Sequence, residues 1–384
     1  MTKELSTRGT ASDYLMTAAE QFSPVDRIVE IREFGSGNVN DTFLVTTCSP
    51  EKRFILQRIN ERVFSRPELI MQNFRVFSEH ASERLTLSPP AGRRWEMPRV
   101  LLTVDCRDHW IDRDGHFWRA ISFITNSESF ESVIDQRHAA EIGFALGLFH
   151  TLADDLPADR LKDTLEGFHV TPIYLKRYLA TIEKGRVPAS IDVAYCMDFV
   201  ERRKQFAQVL ENAKADGRLP LRIIHGDPKV SNVMIDTRTG LAVSIVDLDT
   251  VKPGLVLYDI GDSLRSCCNP LGEDPCTPEQ VRFEPEFCQA LLGGYFSASK
   301  SFLGECECSF IHDSIRLIAF ELGLRFFTDY LEGDVYFKTC DSTQNLRRAL
   351  VQFRLTESIE SQAAVLRGII RDLAKGAGGG DRFV

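Results

Sequence analysis

Apolar and polar positions alternate in short runs over the first part of the chain. Ile28 to Phe34, Thr42 to Thr47 and Arg53 to Ile59 read as three strands, with Gly35-Ser36-Gly37-Asn38-Val39-Asn40-Asp41 as the turn between the first two. Ser65, Pro67 and Glu68 then supply helix-start chemistry, and Leu69, Phe74, Phe77 and Ala81 are spaced for one face of a helix to about Arg84. Pro89-Pro90-Ala91-Gly92 breaks the pattern. Val100 to Val104, Trp110-Ile111 and Phe117 to Ile124 read as three more strands, with Arg113-Asp114-Gly115 as a tight turn between the last two.

The period changes after Phe123–Asn126, which reads as a hinge. A long helix is expected over Ala139–Leu152, and short strands over Leu221–Ile224, Val233–Ile235 and Val243–Val246. Beyond Asp259 the chain reads as helical through Arg316–Leu331 and Leu346–Leu373. The tail from Gly376 is glycine-rich and expected to be mobile. The pattern divides the chain into an antiparallel-sheet lobe over residues 1–125, a mainly helical lobe over 126–375 and a tail over 376–384, an α+β bilobal architecture.

At 384 residues, with 43% hydrophobic and 26% charged positions, the chain can build two cores and reads as globular. The net charge of −9 and the scatter of basic residues argue against a nucleic-acid partner. Ten cysteines lack zinc-site spacing, and read as reduced thiols. With no apolar leader in residues 1–30 and no run long enough for a membrane span, a cytoplasmic enzyme is expected.

The chemistry concentrates in His225-Gly226-Asp227-Pro228-Lys229-Val230-Ser231-Asn232, followed by a strand, a turn and Asp247-Leu248-Asp249. Phosphoryl transfer needs a carboxylate to orient the attacking hydroxyl and take its proton, and hard oxygen ligands to hold Mg²⁺ on the nucleotide phosphates. Asp227 fits the first role. Asn232 and Asp247 fit the second, with Asp249 as a further metal contact or a turn carboxylate. His225 reads as a structural brace, and Asp259 as a cap or a brace behind the loop.

Gly35, Ser36 and Gly37 suit a turn whose amides approach phosphate oxygens. No lysine ends the third strand. Gln57 and Arg58 stand there instead, and they point to opposite faces, so one of them at most meets the nucleotide. Asp262 and Arg265 share a helical face, as an internal ion pair or turned to the acceptor. Arg325, set among aromatic residues, either pairs with a carboxylate, faces a polar cleft or snorkels.

These motifs resemble the aminoglycoside phosphotransferase and choline kinase superfamily, whose members have a bilobal protein-kinase-like fold. Gly35–Phe43, Phe54–Asn60, Val246–Val251, Tyr258–Asp262 and Arg325–Tyr330 look most like its N-acetylhexosamine 1-kinase branch. The resemblance implies ATP and Mg²⁺ as cosubstrate and cofactor, and a small-molecule sugar acceptor phosphorylated at its anomeric hydroxyl. It also implies Gln in place of the phosphate lysine, and Asn38 and Arg325 near the sugar. Asn38 departs from the histidine frequent in that branch. An aminoglycoside or amino alcohol acceptor, and a nucleotide-binding pseudokinase, are the alternative readings.

Overall fold

The computed structural model describes residues 14–23, 26–35, 39–49, 52–185, 187–275, 277–299 and 302–378. Helical residues 14–20 (α1) precede β1 (Ile28–Glu33), β2 (Asp41–Thr47), β3 (Arg53–Arg58), α2 (Pro67–Leu87), β4 (Val100–Leu101), β5 (Trp110–Ile111) and β6 (Phe117–Ser122). The strands form one antiparallel sheet in the order β1-β2-β3-β6-β4, with β5 beside β6. β3 is apolar on both faces because both faces are covered. Phe54 and Leu56 pack with Trp118 and the α1 residues Ala18 and Ala19, while Ile55 packs in the same core as Phe74 and Phe77 of α2. Ile70, Met71, Phe74, Phe77 and Ala81 are the buried face of α2, whereas Leu69 is only half-buried.

The second lobe holds five short strands, β7 (Ser127–Glu128), β8 (Arg222–Ile224), β9 (Val233–Asp236), β10 (Ala242–Ile245) and β11 (Lys252–Gly254). Its helices are α3 (Gln136–Ala153), α4 (Thr171–Glu183), α5 (Ile191–Arg203), α6 (Val209–Ala215), α7 (Val256–Cys267), α8 (Pro285–Ser299), α9 (Glu305–Ser309), α10 (Ile311–Glu332), α11 (Gln344–Ser361) and α12 (Ala363–Gly378). β9 lies between β10 and β7, and β11 pairs with β8, so the two segments flanking the catalytic loop are fixed in small ladders. The side chain of Asp135 caps α3 by accepting from the His138 amide at 2.7 Å.

The backbones of α3 and α8 touch. A Cβ on Gly143 would lie 1.8 Å from the Leu291 carbonyl oxygen, and one on Gly294 would lie 1.9 Å from that of Ala140. This reciprocal contact holds α3 beneath the catalytic loop. Asn73 of α2, fully buried, joins the lobes. Its Nδ2 donates to the carbonyls of Lys162 (2.7 Å) and Val251 (2.8 Å), and its Oδ1 accepts from the Lys162 amide (2.9 Å).

Several expectations need revision. The strands begun at Val100 and Phe117 end at Leu101 and Ser122. The single helical span over 346–373 is two helices broken at Gln362, whose side chain donates to the Phe283 carbonyl at 2.8 Å. Helix α12 runs past Gly376 to Gly378, and residues 379–384 lie outside those described. Nine cysteines are free, with no disulfide among the described residues. No helix among them is long and apolar enough to cross a membrane.

Candidate active site

The loop after β8 is held from behind. Asp259 of α7, fully buried, accepts from the amides of His225 (Oδ2, 2.6 Å) and Gly226 (Oδ1, 2.8 Å), and His150 Nε2 of α3 meets Oδ2 as well, at 2.9 Å. Asp259 thus braces the loop and is not a cap, since α7 begins three residues earlier, at Val256. His225, also buried, bonds the Val246 carbonyl through Nε2 (3.0 Å) and accepts the Asp227 amide at Nδ1 (3.3 Å), the bracing position expected for it. Burial depresses its pKa despite the nearby Asp259 charge, in keeping with a neutral ring. Gly226 sits at φ +87°, and a Cβ there would lie 2.8 Å from Thr250.

This scaffold brings Asp227, Asn232 and Asp247 together. Asn232 Nδ2 donates to the Asp227 carbonyl (2.7 Å) and carboxylate (3.1 Å), which leaves its own side-chain oxygen without a partner among the described residues. Asp227 forms an ion pair with Lys229 at 3.1 Å. Burial acts to raise the Asp227 pKa, but the charge and hydrogen bond of Lys229, with the charge of Arg265 farther off, together outweigh it and hold the carboxyl below its usual range. The carboxylate of Asp247, whose backbone is at φ 66°, makes no hydrogen bond to any described residue. Burial and the neighbouring charges of Asp249 and Asp227 push its pKa up to about 7.

One cavity is lined by Asp227, Lys229, Asp247 and Asp249 and by Thr42, Gln57, Asp262, Arg265, Glu273, Glu321, Arg325, Tyr336 and Phe337, among others. Its charges pair off. Asp249 Oδ1 accepts from Arg119 (2.5 Å), and Asp262 Oδ1 accepts from Arg265 (2.7 Å), which also donates to Glu273 (2.6 Å). Glu321 meets His169 at 3.0 Å. Among the described lining residues, Asp247 and Arg325 are the two charged side chains without an ion-pair partner. The Arg325 guanidinium carbon lies 5.1 to 5.9 Å from the ring centroids of Phe168, Tyr174, Tyr336 and Phe337. The last two rings come from the loop after α10, where the Asp329 carboxylate accepts from the amides of Val335, Tyr336 and Phe337 at 2.8–3.1 Å.

One site expectation is corrected, that for Arg58. Arg58 faces away from the cleft, donates to Asp41 (3.0 and 2.5 Å) and lies over the Trp118 ring, so Gln57 is the β3 residue that lines the cavity. Asp249 accepts from Arg119 on one oxygen and from Asn40 Nδ2 at 2.8 Å on the other, which makes it a strut between the lobes. Asp262 combines its two readings, being paired with Arg265 and also part of the cavity wall. Gly35 is described, at φ +77°, whereas Ser36, Gly37 and Asn38 lie outside the described residues.

Lys229, Arg119, His169 and Glu321 were not singled out from the sequence. Arg119 carried a signal, a charge inside the apolar run of β6. His169 and Glu321 carried none, because their pairing joins the loop before α4 to α10, 152 residues on.

The phosphotransferase enzyme family matches residues 30–298. The chain belongs to that family. Solved structures with the same fold include a microcompartment-associated aminopropanol kinase, at 15% identity and TM-score 0.59 over 92% of this chain and 99% of that one. A choline kinase from Cryptosporidium parvum Iowa II aligns at 12% identity and TM-score 0.59, over 96% of this chain and all of the other. A spectinomycin phosphotransferase in complex with ADP and spectinomycin aligns at 12% identity and TM-score 0.51, over 89% of this chain and 98% of that one. The family phosphotransferase is thus bilobal, with its antiparallel sheet in one lobe and its helices mostly in the other.

Proposed function

We propose that this protein transfers the γ-phosphoryl group of ATP to a hydroxyl of an uncharged sugar, with the anomeric hydroxyl of an N-acetylhexosamine as the acceptor. The observation that carries this reading is the pattern of charges left unpaired in the cavity, one carboxylate at Asp247 and one guanidinium at Arg325. The ADP in the spectinomycin phosphotransferase complex supports a nucleotide cosubstrate.

Asp247 and the free oxygen of Asn232 are the hard donors that fit Mg²⁺, and a carboxylate crowded by two others favours a cation. When bound there, the metal neutralises charge on the phosphates being separated. Asp227 orients the acceptor hydroxyl and takes its proton as the bond to phosphorus forms. An anomeric hydroxyl is more acidic than an ordinary alcohol, so a carboxylate held ionised by Lys229 is an adequate base. Positioning and charge neutralisation supply most of the rate.

The acceptor side separates this chain from phosphotransferases of cationic alcohols. Aromatic rings can enclose a quaternary ammonium. Here the four rings already enclose a cation that belongs to the protein, Arg325. A cationic amino alcohol or aminoglycoside would meet that charge, whereas a sugar's hydroxyl and amide oxygens would accept its N–H groups. Val63, Phe64, Leu165, Leu322 and Phe326 line the same cavity and suit an acetyl methyl or the C–H face of a sugar ring.

The test is ADP release with Mg²⁺ and ATP against N-acetylhexosamines, plain hexoses, amino alcohols and aminoglycosides, with phosphorus NMR of the product. Release with N-acetylhexosamines and phosphate on the anomeric oxygen is expected. Turnover confined to amino alcohols or aminoglycosides would overturn the acceptor assignment.

A further inference from the structure

A phosphate-binding lysine is missing from the end of β3, where Gln57 stands. We propose that Gln57 and Arg119 together form the phosphate donor. Arg119 keeps the positive charge inside the sheet, and Gln57 carries the N–H group into the cleft. The inference rests on the reading that nucleotide phosphates occupy this cleft.

The register of β3 and β6 places the two residues directly opposite each other, so their side chains leave the same face of the sheet. Arg119 is 1% exposed and does not line the cavity, while Gln57 does. Nε and Nη2 of Arg119 both donate to Gln57 Oε1, at 2.9 and 2.7 Å. Arginine has only donors, and the one acceptor on a glutamine side chain is its oxygen, so the amide orientation is fixed by chemistry. The nitrogen end is turned the other way. Gln57 Nε2 donates to Thr42 Oγ1 at 3.1 Å, and Thr42 follows the β1–β2 turn and lines the same cavity. That leaves the second amide N–H available to an oxygen in the cleft.

Two charge-assisted hydrogen bonds on the amide oxygen draw electrons from the nitrogen and strengthen its N–H as a donor. The cation is secured independently of Gln57 by Asp249 at 2.5 Å. Arg119 Nη1 is buried without a partner, so the guanidinium retains an unused donor. The arrangement splits the role of one lysine between two strands, with charge on β6 and reach on β3.

The experiment moves the charge from one strand to the other. ADP affinity is measured by calorimetry, with Mg²⁺ and with EDTA, on the wild type, Gln57→Met, Arg119→Met and the double variant Gln57→Lys/Arg119→Met. Thermal melting of each reports folding. Each single variant is expected to weaken ADP binding about tenfold, the size of one charge-assisted hydrogen bond. That loss is expected to be alike with and without Mg²⁺. The double variant, whose lysine can pair with Asp249 and reach the phosphates, is expected to recover most of it. Unchanged affinity in the single variants would overturn the proposal. So would a well-folded double variant without recovery, or a loss seen only with Mg²⁺, which would make Arg119 a support for the metal-bearing loop alone. A wild-type protein that binds no ADP would instead defeat the reading as an ATP-dependent kinase, and this inference with it.

Discussion

His169 and Glu321 meet at 3.0 Å inside the helical lobe, with both side chains shut away from water. The other ring nitrogen of His169 lies 2.7 Å from the Gly226 carbonyl oxygen, and Thr171 Oγ1 donates to the second Glu321 oxygen at 2.6 Å. Both ring nitrogens face oxygen atoms, an arrangement that suits an imidazolium donating from both. It ties α10, which carries Arg325, to the backbone beside Asp227.

This pair gives a pH dependence of stability. Burial opposes the charged ring, but the bonds to Glu321 and Gly226, with the Asp262 charge, raise its pKa above the ordinary value. A group raised on folding adds stability that is complete below its unfolded pKa, about 6.5, and is lost as pH rises through the folded one. Urea unfolding of the wild type should therefore show a declining midpoint above that pH, with a smaller slope in His169→Gln. Parallel profiles for the two proteins would refute the charged ring.

Asp227→Asn should lower turnover by about 10²–10⁴-fold, the usual worth of a positioned general base. ADP affinity should stay near that of the wild type, because the role proposed for Asp227 is on the acceptor hydroxyl and not on the nucleotide. Loss of ADP binding in calorimetry would show that its role is wrongly assigned.

Arg325→Ala should raise the acceptor KM by roughly 10–100-fold, from the loss of a charged hydrogen-bond donor worth about 1.5–3 kcal/mol. The KM for ATP should be little changed. Arg325→Lys should not rescue it, since an ammonium lacks the planar fork that the four rings hold in place. Equal effects on both KM values in steady-state kinetics would place Arg325 outside the acceptor site.

Gly143→Ala should destabilise the fold by about 3 kcal/mol or more, at the upper end for overpacking. The added methyl meets a carbonyl oxygen at 1.8 Å, and α8 backbone cannot turn aside as a side chain can. Gly293→Ala, one residue from the facing Gly294, meets nothing within 4 Å and should be tolerated. Differential scanning calorimetry of the two variants checks the contrast.

Much of this could be read from the sequence because it is local. The run from His225 to Asn232 and the strand ending before Asp247 bring their functional groups together by short ladders and one brace, so spacing alone foretold the cluster. The alternation in β3 likewise told that Gln57 and Arg58 face opposite ways. Which of the two faces the cleft depended on the cover supplied by Trp118 and α2, and that is tertiary. The pairings were not legible for the same reason. Arg119 and Asp249 are 130 residues apart, and His169 and Glu321 152 apart. Asp249 stands two residues from Asp247 on the chain, and its grip by Arg119 and Asn40 is visible only in the fold. Gly143 gave no sign, since a glycine inside a helix has meaning only once the facing backbone is known.

Asp249 belongs by sequence to the helical lobe, yet its two oxygens are gripped from the sheet lobe, by Arg119 of β6 and Asn40 of the turn before β2. Asp247 is two residues upstream on the same short segment. The same segment is bound to the catalytic loop as well, since His225 Nε2 meets the Val246 carbonyl at 3.0 Å and Thr250 Oγ1 donates to the His225 carbonyl at 2.8 Å. The five residues from Val246 to Thr250 therefore act as a rivet through both lobes, and their position answers to each lobe at once.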